Sequence, residues 1–239
     1  MTYKDLTILY EDNHLLVAVK PYGVPVQADE SGDPDMLTML KQYLVEKYSK
    51  PGEAYLGLVH RLDRPTGGVM VFAKTSKAAA RLSEAIRNGE VEKHYLAVVE
   101  GAPRFKADKL RCWLKKFPEQ NIVKMVPELT DGAKYAELDY KQLAYDKSND
   151  VSLLAVNLVT GRGHQIRVQL AANGTPILGD ARYGHGERMK LPLCLWAAEL
   201  RFAHPVGGQK MDFRVYPPDA LPWQLFDIEQ YLGINIKNA

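Results

Sequence analysis

Short apolar runs separated by polar, turn-forming clusters dominate the chain, and helical periodicity is confined to a few segments. Residues 7–10 (Thr-Ile-Leu-Tyr) and 15–19 (Leu-Leu-Val-Ala-Val) flank Glu11-Asp12-Asn13 and predict a β-hairpin. Asp33-Pro34 then offers an N-cap followed by proline at the first helical position. Behind it Leu37, Leu40, Leu44, Val45 and Tyr48 recur at helical spacing. Strands are expected near 55–59 and 69–74. Ser76 is placed to cap a helix with Ala79, Leu82 and Ile86 on its apolar face, stopped by Asn88-Gly89. Residues 91–100, 133–145 and 151–159 read as strands, the last two joined by a Lys-Ser-Asn-Asp turn. A short helix is expected after Gly163, ending at Asn173-Gly174, then strands near 193–203 and 210–215 and a C-terminal helix after Pro222. Strands with helices interspersed irregularly predict one α+β domain, its mixed central sheet mostly antiparallel and flanked by helices and loops.

Composition narrows the class. A chain of 239 residues with 46% hydrophobic content can build a proper core, which excludes a disordered protein or a stapled mini-protein. The formal net charge of only +2 does not announce a nucleic-acid binder, so any such role rests on local clustering. Such clusters exist. Residues 103–124 hold seven Lys/Arg (Arg104, Lys106, Lys109, Arg111, Lys115, Lys116, Lys124) against Asp108 and Glu119. Residues 60–81 hold Arg61, Arg64, Lys74, Lys77 and Arg81 against Asp63. Taken alone such runs read as a solvated surface, and phosphate contact becomes the better reading only if other features demand a polyanion. Cys112 and Cys194 lie far apart without C-x-x-C spacing, against a disulfide scaffold or a usual zinc site. The N-terminus lacks the apolar stretch of a signal peptide, and no apolar run approaches the roughly 18 residues of a membrane span, so a cytoplasmic protein is expected. No coiled-coil segment is visible and a monomer is expected.

Three segments carry candidate chemistry. His60-Arg61-Leu62-Asp63-Arg64-Pro65-Thr66-Gly67-Gly68 lies between two apolar runs, as an active-site loop held by strands would. Asp63, between Arg61 and Arg64, suits a nucleophile or base, although a structural loop with an internal Asp–Arg pair has the same composition. Thr160-Gly161-Arg162-Gly163-His164-Gln165-Ile166-Arg167 enters a helix with two arginines and backbone N–H groups that could meet phosphate. It lacks the third glycine of a dinucleotide fingerprint, and no Walker lysine is present. In Lys93-His94-Tyr95-Leu96-Ala97, Tyr95 could offer a flat surface to a base or simply be a core tyrosine. His60 and His164 have no metal-ligand spacing and there is no G-x-S-x-G turn, against metal catalysis and a serine hydrolase.

Together these segments resemble the RluA family of RNA pseudouridine synthases. The resemblance also takes in Val19-Lys20-Pro21-Tyr22-Gly23, Pro176-Ile177-Leu178-Gly179-Asp180-Ala181-Arg182-Tyr183-Gly184, Leu195-Trp196-Ala197 and Phe202-Ala203-His204-Pro205, spanning about residues 7–216. It departs from the family at Gly67, Gln169 and Trp196, which leaves the subfamily open. It implies isomerisation of uridine to pseudouridine in ribosomal or transfer RNA, at a uridine in a loop or bulge, with no cofactor or metal. It implies Asp63 as catalytic carboxylate, by attack on the sugar or by removal of a sugar proton. Arg167 is implied as the acid's partner and Tyr95 as the residue packed on the base. Arg61 is implied as the side chain that fills the space left by a flipped nucleotide. His60, Arg162, His164, Gln165, Lys115 and Lys116 complete the expected RNA contacts. The chain begins at the hairpin, without the small N-terminal RNA-binding domain of some relatives, so target binding is expected mostly from the catalytic domain. An inactive RNA-binding or RNA-chaperone module on the same scaffold is the alternative.

Overall fold

The computed structural model describes residues 1–185 and 191–233. In chain order the strands are β1 (Thr7–Glu11), β2 (Leu15–Lys20), β3 (Gly57–Leu58), β4 (Gly67–Ala73), β5 (Glu92–Glu100), β6 (Ala107–Phe117), β7 (Ile122–Val126), β8 (Lys134–Asp146), β9 (Val151–Leu158), β10 (Leu195–Ala203) and β11 (Lys210–Arg214). The helices are α1 (Met36–Lys47), α2 (Ser76–Arg87), α3 (Gln165–Ala172) and α4 (Ile228–Leu232). The fold is α+β, as the segment pattern predicts. By contacts the chain divides into two compact units, residues 1–91 with 199–215 and residues 92–198 with 216–239.

In the first unit, Leu15 to Lys20 of β2 pair antiparallel with Ala73 to Gly68 of β4. Nearly every residue of both strands is buried, as their unbroken apolar runs require. β1 joins β2 through the expected hairpin, whose turn is fixed by Asp12: Oδ1 accepts the N–H groups of His14 and Leu15, each at 2.7 Å. Asp35, not Asp33, caps α1, accepting the Thr38 N–H at 3.0 Å, while Asp33 pairs with Arg64. Thr75, not Ser76, caps α2, accepting the Ala78 N–H at 3.2 Å. The strand expected over 55–59 is only Gly57–Leu58. Glu11 ties β1 to α1, accepting from Lys74, Lys47, Tyr48 and Tyr43 at 2.6, 2.7, 2.7 and 2.9 Å. Burial alone would raise its carboxyl, but these donors outweigh it and hold it at about 2. The later stretch of the unit is fastened to the earlier one. His204 donates to Asp12 Oδ2 at 2.9 Å, Arg81 donates to the Pro205 carbonyl at 2.6 Å, and Phe213 lies 5.8 Å from the Tyr10 ring.

The second unit is an antiparallel sheet in the order β5-β9-β8-β6-β7. β6 and β7 fall in the basic stretch 103–124, where no strand is expected, although Leu110, Cys112 and Leu114 alternate there with Lys109, Arg111, Trp113 and Lys115. Leu114 of β6, Val123 of β7 and Ala136 of β8 pack on Val168 of α3, with Cys112 and Tyr183 beside them. That face of the sheet is therefore covered by α3. The helix expected after Pro222 is a 3-10 turn, Trp223–Leu225, followed by α4, which Asp227 caps through the Gln230 N–H at 3.2 Å.

Candidate active site

Asp63 lies in the loop from β3 to β4, half-buried, and its carbonyl accepts the Thr66 N–H at 2.9 Å, closing a tight turn. The loop is tied down by the last residue of β2. Lys20 is fully buried and its ammonium donates to the carbonyls of Pro21, Arg64 and Thr66 at 3.1, 2.9 and 2.7 Å. Burial pushes this lysine down to about 7, while the charge of Asp63 works to hold the proton on and that of Arg64 to drive it off. Gly68, at φ +126°, takes a conformation that only glycine adopts without strain and turns the loop into β4. His60 Nε2 accepts the Val71 N–H at 3.1 Å, which anchors the loop on β4. Arg61 is exposed. Arg64 does not serve Asp63 through its guanidinium as its sequence position suggests: Nε donates to the Gly23 carbonyl and Nη1 to Ser31 Oγ, both at 2.9 Å, and Nη2 pairs with Asp33.

The second unit supplies the other candidates. Tyr95 and Tyr140 both lie opposite Val156, so they share a sheet face with Ala136 and Leu138, the face that α3 covers. Arg167 on α3 is 7% exposed and gripped side-on by Asp180, which is 1% exposed: Nε donates to Oδ2 and Nη2 to Oδ1, each at 2.8 Å. Burial would raise the Asp180 carboxyl, but Arg167 and the N–H groups of Arg182 and Tyr183 pull it below the usual carboxylate range. The Arg167 guanidinium sits 5.1 Å from the centre of the Tyr183 ring.

His164, at φ +54°, starts α3 in the left-handed region, and its Nδ1 bonds the Tyr183 hydroxyl at 2.7 Å. Gln165, expected to touch RNA, is only 2% exposed. Its Oε1 accepts from Thr160 Oγ1 at 2.8 Å and from the Arg162 N–H at 3.0 Å, and its Nε2 donates to the Glu137 carbonyl at 3.0 Å. It is an internal brace of the loop, and it occupies the Arg162 N–H, one of the groups expected to meet phosphate. Arg162 itself is exposed, with Nε on the Tyr135 carbonyl at 2.9 Å. Lys115 and Lys116, being adjacent on β6, point to opposite faces. Lys115 lies directly opposite Lys124 of β7, and both ammonium groups lie over the Phe117 ring at 5.8 and 5.4 Å. Gln169, a departure from the resemblance, donates to the Leu110 carbonyl at 2.9 Å and ties α3 to β6.

Sequence reasoning gave no role to Lys20, Asp180 or Tyr183. The available signals were a lysine closing an otherwise apolar strand and an acid following a glycine in a turn. Among the described residues, no group of three or more His, Cys, Asp or Glu side chains is arranged to hold a metal ion.

The family model described as RNA pseudouridylate synthase matches residues 14–172, which takes in both loops, Tyr95 and Arg167. The chain belongs to the RNA pseudouridine synthase family. Members are isomerases that convert uridine to pseudouridine within RNA, and the resemblance to the RluA group holds over most of the chain. An RNA pseudouridine synthase of Bacillus subtilis, YhcT, is 34% identical over 208 residues, covering 87% of this chain and 67% of that protein. Ribosomal large subunit pseudouridine synthase D of Zymomonas mobilis is 32% identical, covering 89% and 69%. Ribosomal large subunit pseudouridine synthase C of Vibrio vulnificus is 34% identical, covering 86% and 64%. Among solved structures, human RNA Pseudouridylate Synthase Domain Containing 4 matches with a TM-score of 0.75 at 24% identity, covering 89% of each chain. At that identity the likeness speaks for the fold.

Proposed function

We propose that this synthase isomerises a uridine in ribosomal RNA, with Asp63 as the catalytic carboxylate, acting as a cytoplasmic monomer. The observation that carries the reading is the loop of Asp63, half-buried and held by a fully buried ammonium on two of its carbonyls, those of Arg64 and Thr66. A reacting group must be held in register with the sugar, and a fixed backbone provides that. The ribosomal target is supported by the names of two relatives.

The reaction breaks the C1′–N1 bond, turns the uracil and joins C5 to C1′, while the C5 proton leaves and N1 gains one. Either attack of Asp63 at C1′ or removal of a sugar proton fits. The family resemblance assigns Tyr95 to the base and Arg167 to the support of the acid. A stacked uridine must first be extruded, at a few kcal/mol, least in loops and bulges. Arg61, exposed and two residues from the acid, fills the vacated stack with its planar guanidinium. Arg162 and the Lys115–Lys124 pair take phosphates, with His60 and His164 shaping the loops that carry the arginines.

The test is chemical mapping of pseudouridines in ribosomal and transfer RNA with and without the gene, joined to the Asp63→Asn variant in vitro. Loss of a ribosomal site, and an Asp63→Asn protein that binds RNA without turnover, are expected. A site lost only from transfer RNA overturns the ribosomal target. Normal turnover by Asp63→Asn overturns the role of the acid. RNA binding by the wild type with no product on any target favours an inactive RNA-binding module.

A further inference from the structure

We infer that Asp180 is a positioning residue: it sets the orientation in which the Arg167 guanidinium works. This rests on the reading above, in which Arg167 supports the catalytic acid. A guanidinium at the end of a long side chain turns freely about its last bonds unless two of its nitrogens are held. Here Nε and Nη2 are both held on the two oxygens of one carboxylate, at 2.8 Å each. That fixes the plane of the group and directs Nη1 away from Asp180. The Tyr183 ring, 5.1 Å beneath, bounds the plane from one side.

The clamp is itself anchored. Asp180 Oδ1 accepts the N–H groups of Arg182 and Tyr183 at 3.0 and 3.1 Å, and its own N–H donates to the Ile177 carbonyl at 3.1 Å. Gly179, just before it, sits at φ +77°, and a Cβ there would run into the Pro192 carbonyl oxygen. The Tyr183 hydroxyl is held by the Val123 N–H at 2.8 Å and by His164 Nδ1 at 2.7 Å. Every part of the cradle is thus fixed to backbone or to the start of α3. The pair is nearly water-free, so its geometry is not averaged by solvent. A buried ion pair is weak as a source of stability, so what this one supplies is orientation.

The test compares Asp180→Asn, Asp180→Glu, Arg167→Lys and Arg167→Ala in steady-state assays on a pseudouridine-accepting RNA, with RNA affinity measured separately. Asp180→Asn keeps the arginine but loosens its hold, so kcat should fall about 10- to 100-fold while KM and RNA affinity stay within about twofold. Asp180→Glu should recover part of the loss. Arg167→Lys keeps the charge without the two-nitrogen grip and should lose kcat to a similar degree, a readout that stands even where Asp180→Asn does not fold. Normal kcat in Asp180→Asn or in Arg167→Lys, with Arg167→Ala impaired, overturns the positioning role. Normal kcat in Arg167→Ala overturns the underlying reading of the arginine, and the positioning claim with it.

Discussion

Lys20 Nζ lies 2.7 Å from the carbonyl oxygen of Thr66, and this contact fastens the end of β2 to the turn that closes the Asp63 loop. The same ammonium also holds the Arg64 carbonyl at 2.9 Å, on the other side of Pro65. A cation that is 0% exposed is thus spent on backbone, and what it sets is the path of the chain just after Asp63.

Replacing Lys20 by Met should keep the stem and remove the donors. The carbonyls it served would be buried with fewer partners, at a cost of about 2–3 kcal/mol in total. Urea denaturation checks this, and kcat should fall in the folded variant because the loop is no longer held. Unchanged stability and turnover would mean the three bonds contribute nothing.

The same residue gives a pH signature. Its ammonium is lowered by burial to about 7 in the folded chain, against about 10.4 for an unfolded lysine. Between those values the unfolded chain binds more protons, so this group makes stability rise with pH, by at most about 1.4 kcal/mol per unit. Below pH 7 the penalty is constant. Wild type should therefore gain stability relative to Lys20→Met between pH 7 and 10, read from denaturation at each pH. Parallel curves would contradict the lowered value.

Gln165→Ala should destabilise by about 2 kcal/mol, since the buried partners of its amide lose their bonds. The slope of RNA affinity against salt should not change, because the residue carries no charge to phosphate. An unaltered melting curve would remove it from the loop's framework.

Lys115 and Lys124 face each other across β6 and β7, and like charges directly opposite cost stability. Replacing both by Ala should raise stability by about 0.5 kcal/mol and weaken RNA binding, with the log–log salt slope reduced by about 1 to 2. A slope equal to wild type would return the pair to ordinary surface.

Much of this was legible from the chain. Apolar runs located β2, β4, β5 and β9, and Asn-Gly pairs marked the ends of α2 and α3. What failed was competition between equivalent groups. Asp33 and Asp35 are both fit to cap α1; Asp35 takes the Thr38 N–H, while Asp33 pairs with the distant Arg64. β6 was hidden because one of its faces carries Lys109, Arg111 and Lys115, so a density of basic residues obscured its alternation. Asp63, Tyr95 and Arg167 stand out as candidates within their motifs, whereas Lys20 and Asp180 make contacts 44 to 46 and 13 residues away that no local pattern reveals.

The first unit is assembled from residues 1–91 and 199–215, with all of the second unit's sheet between them. During synthesis its opening hairpin and two helices must therefore emerge and wait. Asp12, Tyr10 and Arg81 meet His204, Phe213 and Pro205 only when the ribosome has delivered nearly the entire polypeptide. Truncation anywhere before that late strand pair leaves the half bearing Asp63 unfinished, so a nascent fragment would not be a working enzyme however much of the motif it already contained.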